Sequence, residues 1–211
     1  GSRRIPGDDG NVFFYPMMQL VRAGYVLVAA AGNDGYPASW TNPAGFLGVI
    51  CVGATDVFDR PAAFSNFGSV VDIWAPGVGI LSANSQYPDG GVKLENGTSQ
   101  ASPCVAGVAA LFLERHVTSE QMENEPGLIC ARAHISMVRS AAVGVLQDVE
   151  NPMLVSPGGN STLGGSANRL VQACDQSGGI ECVEETVWSS ATKSIILGDG
   201  IDPIPGTFAC N

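Results

Sequence analysis

No basic stripe runs through this sequence of 211 residues: 10 Lys and Arg stand against 20 Asp and Glu, for a net charge of −10. A nucleic-acid backbone is gripped by clustered cations that release its counterions, so this balance argues against a nucleic-acid partner. Long apolar runs are lacking too. The longest, residues 105–113, falls well short of the roughly 20 residues a membrane-spanning helix needs, and reads as a core helix. None of the six cysteines shows Cys-x-x-Cys spacing, which disfavours zinc and thioredoxin chemistry. Internal repeats and low-complexity tracts are absent. Histidine is scarce: His116 and His134 are the only two.

What is present describes one globular domain with an appendage. Hydrophobic residues make up 45% and charged residues 14%, enough to build a sizeable core and too apolar for a disordered chain. The 27 Gly and 13 Pro imply many tight turns between elements. Cys51 and Cys104 lie in apolar surroundings and read as small core residues. Six cysteines allow 15 pairings; Cys174 and Cys182 are the local choice for a disulfide, which would place the chain in an oxidising compartment. The composition shifts at Asp175, so residues 1–174 are expected to form the domain and residues 175–211 a C-terminal extension. The first residue is Gly1 rather than Met, so a leader is neither implied nor excluded.

Along the chain, Pro16 followed by Met17, Met18, Leu20 and Val21 predicts a short helix closed by Gly24. Residues 25–31 are a continuous apolar run, predicting a central parallel strand covered on both faces. Residues 48–54 predict a second buried strand, and residues 70–77 and 79–82 short strand segments broken by Pro and Gly. Asn42-Pro43 is a candidate cis peptide. Residues 87–95 read as a hairpin loop, 117–127 as an acidic loop, and 133–147 as a helix with apolar residues at helical spacing. The order of elements is that of an α/β doubly wound sheet.

The most informative stretch is Asn96-Gly97-Thr98-Ser99-Gln100-Ala101-Ser102-Pro103-Cys104-Val105-Ala106-Gly107. A polar corner feeding an apolar helix presents a hydroxyl at the positive end of a helix dipole, beside N–H groups without intrahelical partners. An anionic transition state wants that geometry; the plainer reading is a Thr or Ser cap on a buried helix. Upstream, Ala31-Gly32-Asn33-Asp34-Gly35 follows the predicted strand, where ligand groups collect in open α/β sheets. Asn42-Pro43-Ala44, Ala63-Phe64-Ser65-Asn66-Phe67-Gly68 and Asp72-Ile73-Trp74-Ala75-Pro76-Gly77 lie between these two.

Together, in this order, the five pieces resemble the subtilisin-like serine proteases. The resemblance covers about residues 24–172. It implies a three-layer α/β fold with a mostly parallel central sheet, here without the strands of its N-terminal side. It further implies peptide-bond hydrolysis through an acyl-enzyme at Ser99, with Asn33 donating to the oxyanion and Thr98 shaping the corner. Ala29, Ala30, Ala31 and Gly32 would line the substrate pocket. Gln100 stands where many members carry Met, and Cys104 replaces a common His as a small buried thiol.

The family's Asp and His motifs are not in this chain, and a serine nucleophile needs both. His116 would sit about 25 Å from Ser99 along the helix, and His134 has no family role. The resemblance therefore implies a polypeptide substrate and a preceding N-terminal part of the catalytic domain that supplies Asp and His. This chain alone is expected to be inactive. The competing reading is a non-catalytic subtilase-like binding module. No cofactor is required for the chemistry. Asp34, Asp56 and Asp59 are candidates for a structural Ca2+, although solvated loop acids are the simpler reading. Asn160-Ser161-Thr162 fits a glycosylation acceptor. A secreted protein is the expectation.

Overall fold

The computed structural model describes residues 2–3, 13–84, 90–143, 146 and 169–170. In chain order its elements are β1 (Ser2–Arg3), α1 (Phe14–Arg22), β2 (Leu27–Ala30), a 3-10 turn at Ala38–Trp40, β3 (Thr41–Asn42), β4 (Val49–Thr55), β5 (Ile73–Pro76), β6 (Ile80–Ala83), β7 (Val92–Glu95), α2 (Thr98–His116), α3 (Ser119–Asn124), α4 (Pro126–Ser140), β8 (Ala142–Val143) and β9 (Arg169–Leu170). The main sheet has the order β2-β4-β5-β9-β8. Its first four strands run parallel, with Leu27 opposite Val49, Val52 opposite Ile73 and Trp74 opposite Leu170, and β8 is antiparallel to β9. This is the expected α/β fold with a mostly parallel sheet.

β4 is the spine. All seven of its residues are buried, and because successive side chains point to opposite faces it feeds two cores. Ile50, Val52 and Ala54 join Ile73 and Ala75 of β5 in packing against Ala101, Val105 and Ala109 of α2 and Ala133 and Met137 of α4. Cys51 and Trp74 face the other way, against Ala31, Ala38, Ala44, Val71 and Leu146. One face of the sheet is thus covered by helices, and the other, among the described residues, by loop. Gly53 is required for this arrangement, since a Cβ there would lie 2.5 Å from Cε3 of the Trp74 ring.

Several expectations change. Residues 25–31 do not form a central strand covered on both faces: β2 is the outer strand of the described sheet, and all four of its residues are only half-buried. An all-apolar run records what a strand can be covered by, not which neighbours it has. The first helix begins at Phe14, placing Pro16 inside the first turn. The predicted helix 133–147 is instead Pro126–Ser140, after which Ala142 and Val143 enter the sheet. The acidic loop holds α3, opened by a capping box in which the Thr118 hydroxyl accepts from the Gln121 N–H and Gln121 Oε1 accepts from the Thr118 N–H. The residues expected as a hairpin loop end in β7, which pairs antiparallel with β6. The Asn42-Pro43 peptide is cis. The 175–211 extension, the Cys174–Cys182 pair and Asn160 lie outside the described residues.

Cys104 is exposed, not buried. The i, i+4, i+8 stripe of Ala101, Val105 and Ala109 on α2 is buried, with Val108 and Phe112 partly buried against the same core, leaving Cys104, Gly107 and Leu111 on the open side. Cys51 and Cys130 are buried. Burial pushes the Cys130 thiol above its ordinary range, a backbone hydrogen bond with Leu27 opposing it only in part. A raised pKa means less thiolate at neutral pH, and the thiolate is the nucleophile. Iodoacetamide should therefore label Cys104 of the folded 211-residue chain, and leave Cys51 and Cys130 unlabelled until denaturant is added. Peptide mapping by mass spectrometry reads the three sites separately.

Candidate active site

The corner ahead of α2 is clamped onto the carboxyl ends of β4 and β5. The Gly77 N–H donates to the Thr55 carbonyl at 2.9 Å, and the Gly97 N–H to the Gly77 carbonyl at 2.8 Å. Gly77 is buried in this clamp; a Cβ there would meet Ala54 Cβ at 2.6 Å and the Gly97 oxygen at 2.8 Å. The chain then turns through Gly97 (φ 158°, ψ 159°) into α2, burying Thr98 and exposing Ser99. Pro103 has no N–H to offer the Ser99 carbonyl four residues back. The Ser102 hydroxyl donates to that carbonyl instead, at 3.4 Å.

Asn33 stands beside Ser99 on the loop that leaves β2. Its Oδ1 accepts from the Thr98 N–H at 2.9 Å and from the Thr98 hydroxyl at 2.8 Å. The same Thr98 oxygen accepts from the Gly32 N–H at 3.1 Å. A backbone N–H can only donate, so the oxygen of the Asn33 amide must face Thr98 and the Nδ2 must face away. Among the described residues neither Asn33 Nδ2 nor the Ser99 N–H has an acceptor. Both border one small space: a Cβ on Gly97 would lie 3.4 Å from Asn33 Nδ2 and 3.6 Å from Ser99 N, and 2.6 Å from Gln100 Oε1, whose side chain reaches into it. Two unpaired donors, one at a helix N-terminus, flank the glycine corner, and once the flexible Gln100 side chain turns away they can stabilise a developing oxygen anion.

The loop carrying Asn33 is itself held from below by Asn66. The buried Asn66 side chain accepts from the Asp34 and Tyr36 N–H groups, and donates to the Ala31 carbonyl and Thr41 Oγ1. The Ser65-Asn66 piece was visible in the sequence as part of the motif at residues 63–68. No role for Asn66 was, since its partners lie 25 to 35 residues away.

Of the other pocket candidates, Ala29 and Ala30 are half-buried in β2, Ala31 is fully buried against the Trp74 layer, and Gly32 takes φ +108°. Ala31 is closed to a ligand here, its N–H donating to the Val52 carbonyl and its carbonyl accepting from Asn66 Nδ2. Neither histidine approaches Ser99. His116 ends α2 with its ring 5.2 Å from that of Phe112. His134 is mostly buried, its side chain 16% exposed. It lies within α4, and its Nε2 is 3.2 Å from Asp72 Oδ1, while Asp72 Oδ2 accepts from the buried Cys51 N–H at 2.8 Å. Asp72 precedes β5 and the Ser99 corner follows it, so the pair sits at the opposite end of the strand, about 13 Å away.

Among the acids considered for an ion, Asp56 is already engaged. It accepts from the Phe58 and Arg60 N–H groups and from the Arg60 side chain at 2.8 Å. Slight burial pushes its carboxyl up, but the bonds from Arg60 and Phe58 outweigh this and hold it below the usual range. Among the described residues no group of three or more His, Cys, Asp or Glu is placed to hold a metal, and no helix is long and apolar enough to cross a membrane.

Comparison with known proteins follows the same lines. The sequence profile of the subtilase family matches residues 6–135. The chain is 50% identical over 117 residues to Subtilisin-like protease 3 of Pseudogymnoascus destructans, a match covering 54% of this chain and 29% of that protein. It is 48% identical over 95 residues to Proteinase T of Parengyodontium album, covering 45% of this chain and 31% of the relative. A crystal structure of a cold-adapted subtilisin-like serine proteinase superposes with a TM-score of 0.58 at 32% identity, over 76% of this chain and 50% of its own. The chain thus spans under a third of the length of these curated relatives.

Proposed function

Because the chain belongs to the subtilase family, we propose that it is the nucleophile-bearing part of a serine endopeptidase that hydrolyses peptide bonds. The Ser99 Oγ attacks the scissile carbonyl carbon and its proton passes to a histidine held by an aspartate, both supplied by the N-terminal part of the catalytic domain. The carbonyl oxygen, now an anion, is received by Asn33 Nδ2 and the Ser99 N–H. The C–N bond breaks as the same histidine returns the proton to the departing amine, and water then hydrolyses the acyl-enzyme. No cofactor enters these steps. The substrate is a polypeptide, and the protein is secreted.

The observation that supports this most is the convergence of two unpaired donors beside an exposed serine. A scaffold that merely binds has no need of the Asn33 amide held with its Nδ2 turned away from Thr98. A fluorophosphonate probe tests the reading in the full-length protein. The expected adduct maps to the peptide containing Ser99. A folded full-length protein that takes no label there would overturn it and favour a binding module. The 211-residue chain alone should take no label, since neither His116 nor His134 is placed to accept the serine proton.

A further inference from the structure

Asn66 does more than fill a turn, and we infer that it is a positioning residue for the oxyanion donor Asn33. It is 1% exposed, and a buried carboxamide can make four side-chain hydrogen bonds. Asn66 makes all four: Oδ1 accepts from Asp34 N and Tyr36 N, both at 3.0 Å, and Nδ2 donates to the Ala31 carbonyl and Thr41 Oγ1, both at 2.9 Å. Its backbone N–H adds a fifth, to the Gly32 carbonyl at 2.9 Å. Four of the five end on residues 31, 32, 34 and 36, which bracket Asn33 on both sides without engaging it. Asn66 thus fixes the backbone that carries the donor and leaves the donor's own amide to Thr98.

The template is in turn tied to the spine of the sheet. The Ser65 hydroxyl accepts from the Ala54 N–H of β4 at 3.1 Å and donates to the Asn66 carbonyl at 3.0 Å. The fit against Gly32 is close enough to exclude any side chain there, since a Cβ would fall on Asn66 Nδ2. A continuous set of bonds therefore runs from β4 through Ser65 and Asn66 to the loop bearing Asn33. The same strand end holds the Ser99 corner through Thr55 and Gly77. Both donors are referenced to one rigid element, which is what preorganisation of an oxyanion site requires.

The inference rests on the proposed role of Asn33, and the test separates the two. In the full-length protein, Asn66→Asp keeps the size of the side chain and its acceptor for Asp34 and Tyr36, but loses the two donated bonds. Thr41→Val removes a single acceptor and is the milder variant. Rates are taken per active site titrated with a fluorophosphonate, so a partly folded preparation still reads. Misplacement of a catalytic group by about 1 Å costs on the order of 10²-fold; Asn66→Asp should approach that loss in kcat with little change in KM, and Thr41→Val should show a smaller loss of the same kind. Placed on an Asn33→Ala background, both should cost almost nothing further, because the group they position is gone. Equal fold-losses in both backgrounds, or no loss in either, would overturn the positioning role while leaving Asn33 as the donor. If Asn33→Ala itself leaves kcat unchanged, the oxyanion reading fails, and the positioning role with it.

Discussion

Replacing Ser99 with alanine in the full-length protein is expected to cut turnover by about 10⁶-fold, whereas replacing Asn33 with alanine should cost about 10² to 10³-fold; both magnitudes are those measured on another member of this family, subtilisin. The order of the two follows from the site. Without Ser99 no bond can form to the scissile carbon, and only binding and the oxyanion donors remain. Without Asn33 the bond still forms, but the developing anion keeps only the Ser99 N–H and the field of the α2 N-terminus. On the proposed reading Asn33 Nδ2 meets the oxygen only as it becomes an anion, so its loss should appear in kcat with KM nearly unchanged. Steady-state kinetics on a chromogenic peptide, normalised by active-site titration, measures both. A raised KM with unchanged kcat for Asn33→Ala would place its side chain on the ground-state substrate instead.

Much of this site could be read from the sequence because the chemistry lies in short local pieces. The Gly97-Thr98-Ser99 corner needs only neighbouring residues to be recognised, and the apolar 48–54 run became β4 with one residue's difference at each end. The capping box of α3 was equally local, Thr118 with Gln121 three residues on, yet the acidic composition around it read as loop. Other features depend on separation. Cys104 is exposed because α2 buries only the side carrying Ala101, Val105 and Ala109, and an almost wholly apolar helix has little periodicity to say which side that is. Thr98 holds the Asn33 amide across 65 residues of chain, and Asn66 holds the Asn33 loop across 30 to 35. An asparagine in a turn reads the same whether its amide faces water or closes four bonds.

The two cores of β4 also differ in what they do for the site. The helical side seats α2 and so sets the height of Ser99, while the Trp74 side supports the chain that leaves β2 toward Asn33. Ala31 and Ala38, which bracket the loop, both pack in the Trp74 cluster. Ser99 and Asn33 are thus carried by opposite faces of one strand, and they meet where its carboxyl end opens.

The largest loss of stability should accordingly come from Trp74. Its side chain is fully buried, and Trp→Ala in a core costs about 3–5 kcal/mol through lost transfer energy and the cavity left behind. The indole Nε1 has no partner among the described residues, so no hydrogen bond is lost with the ring. Gly53→Ala attacks the same contact from the other side. The added Cβ would lie 2.5 Å from the ring edge, and the ring cannot retreat from Ala31, Ala38, Cys51, Val71 and Leu146. Overpacking of this kind costs about 1–3 kcal/mol. The two changes should not add. With Trp74 already replaced by alanine, the Gly53 methyl enters empty space and recovers part of the lost packing, so its effect should change sign. Denaturant unfolding of the two single variants and the double variant in the full-length protein measures the coupling. Strict additivity would mean that the ring and the glycine are not in contact.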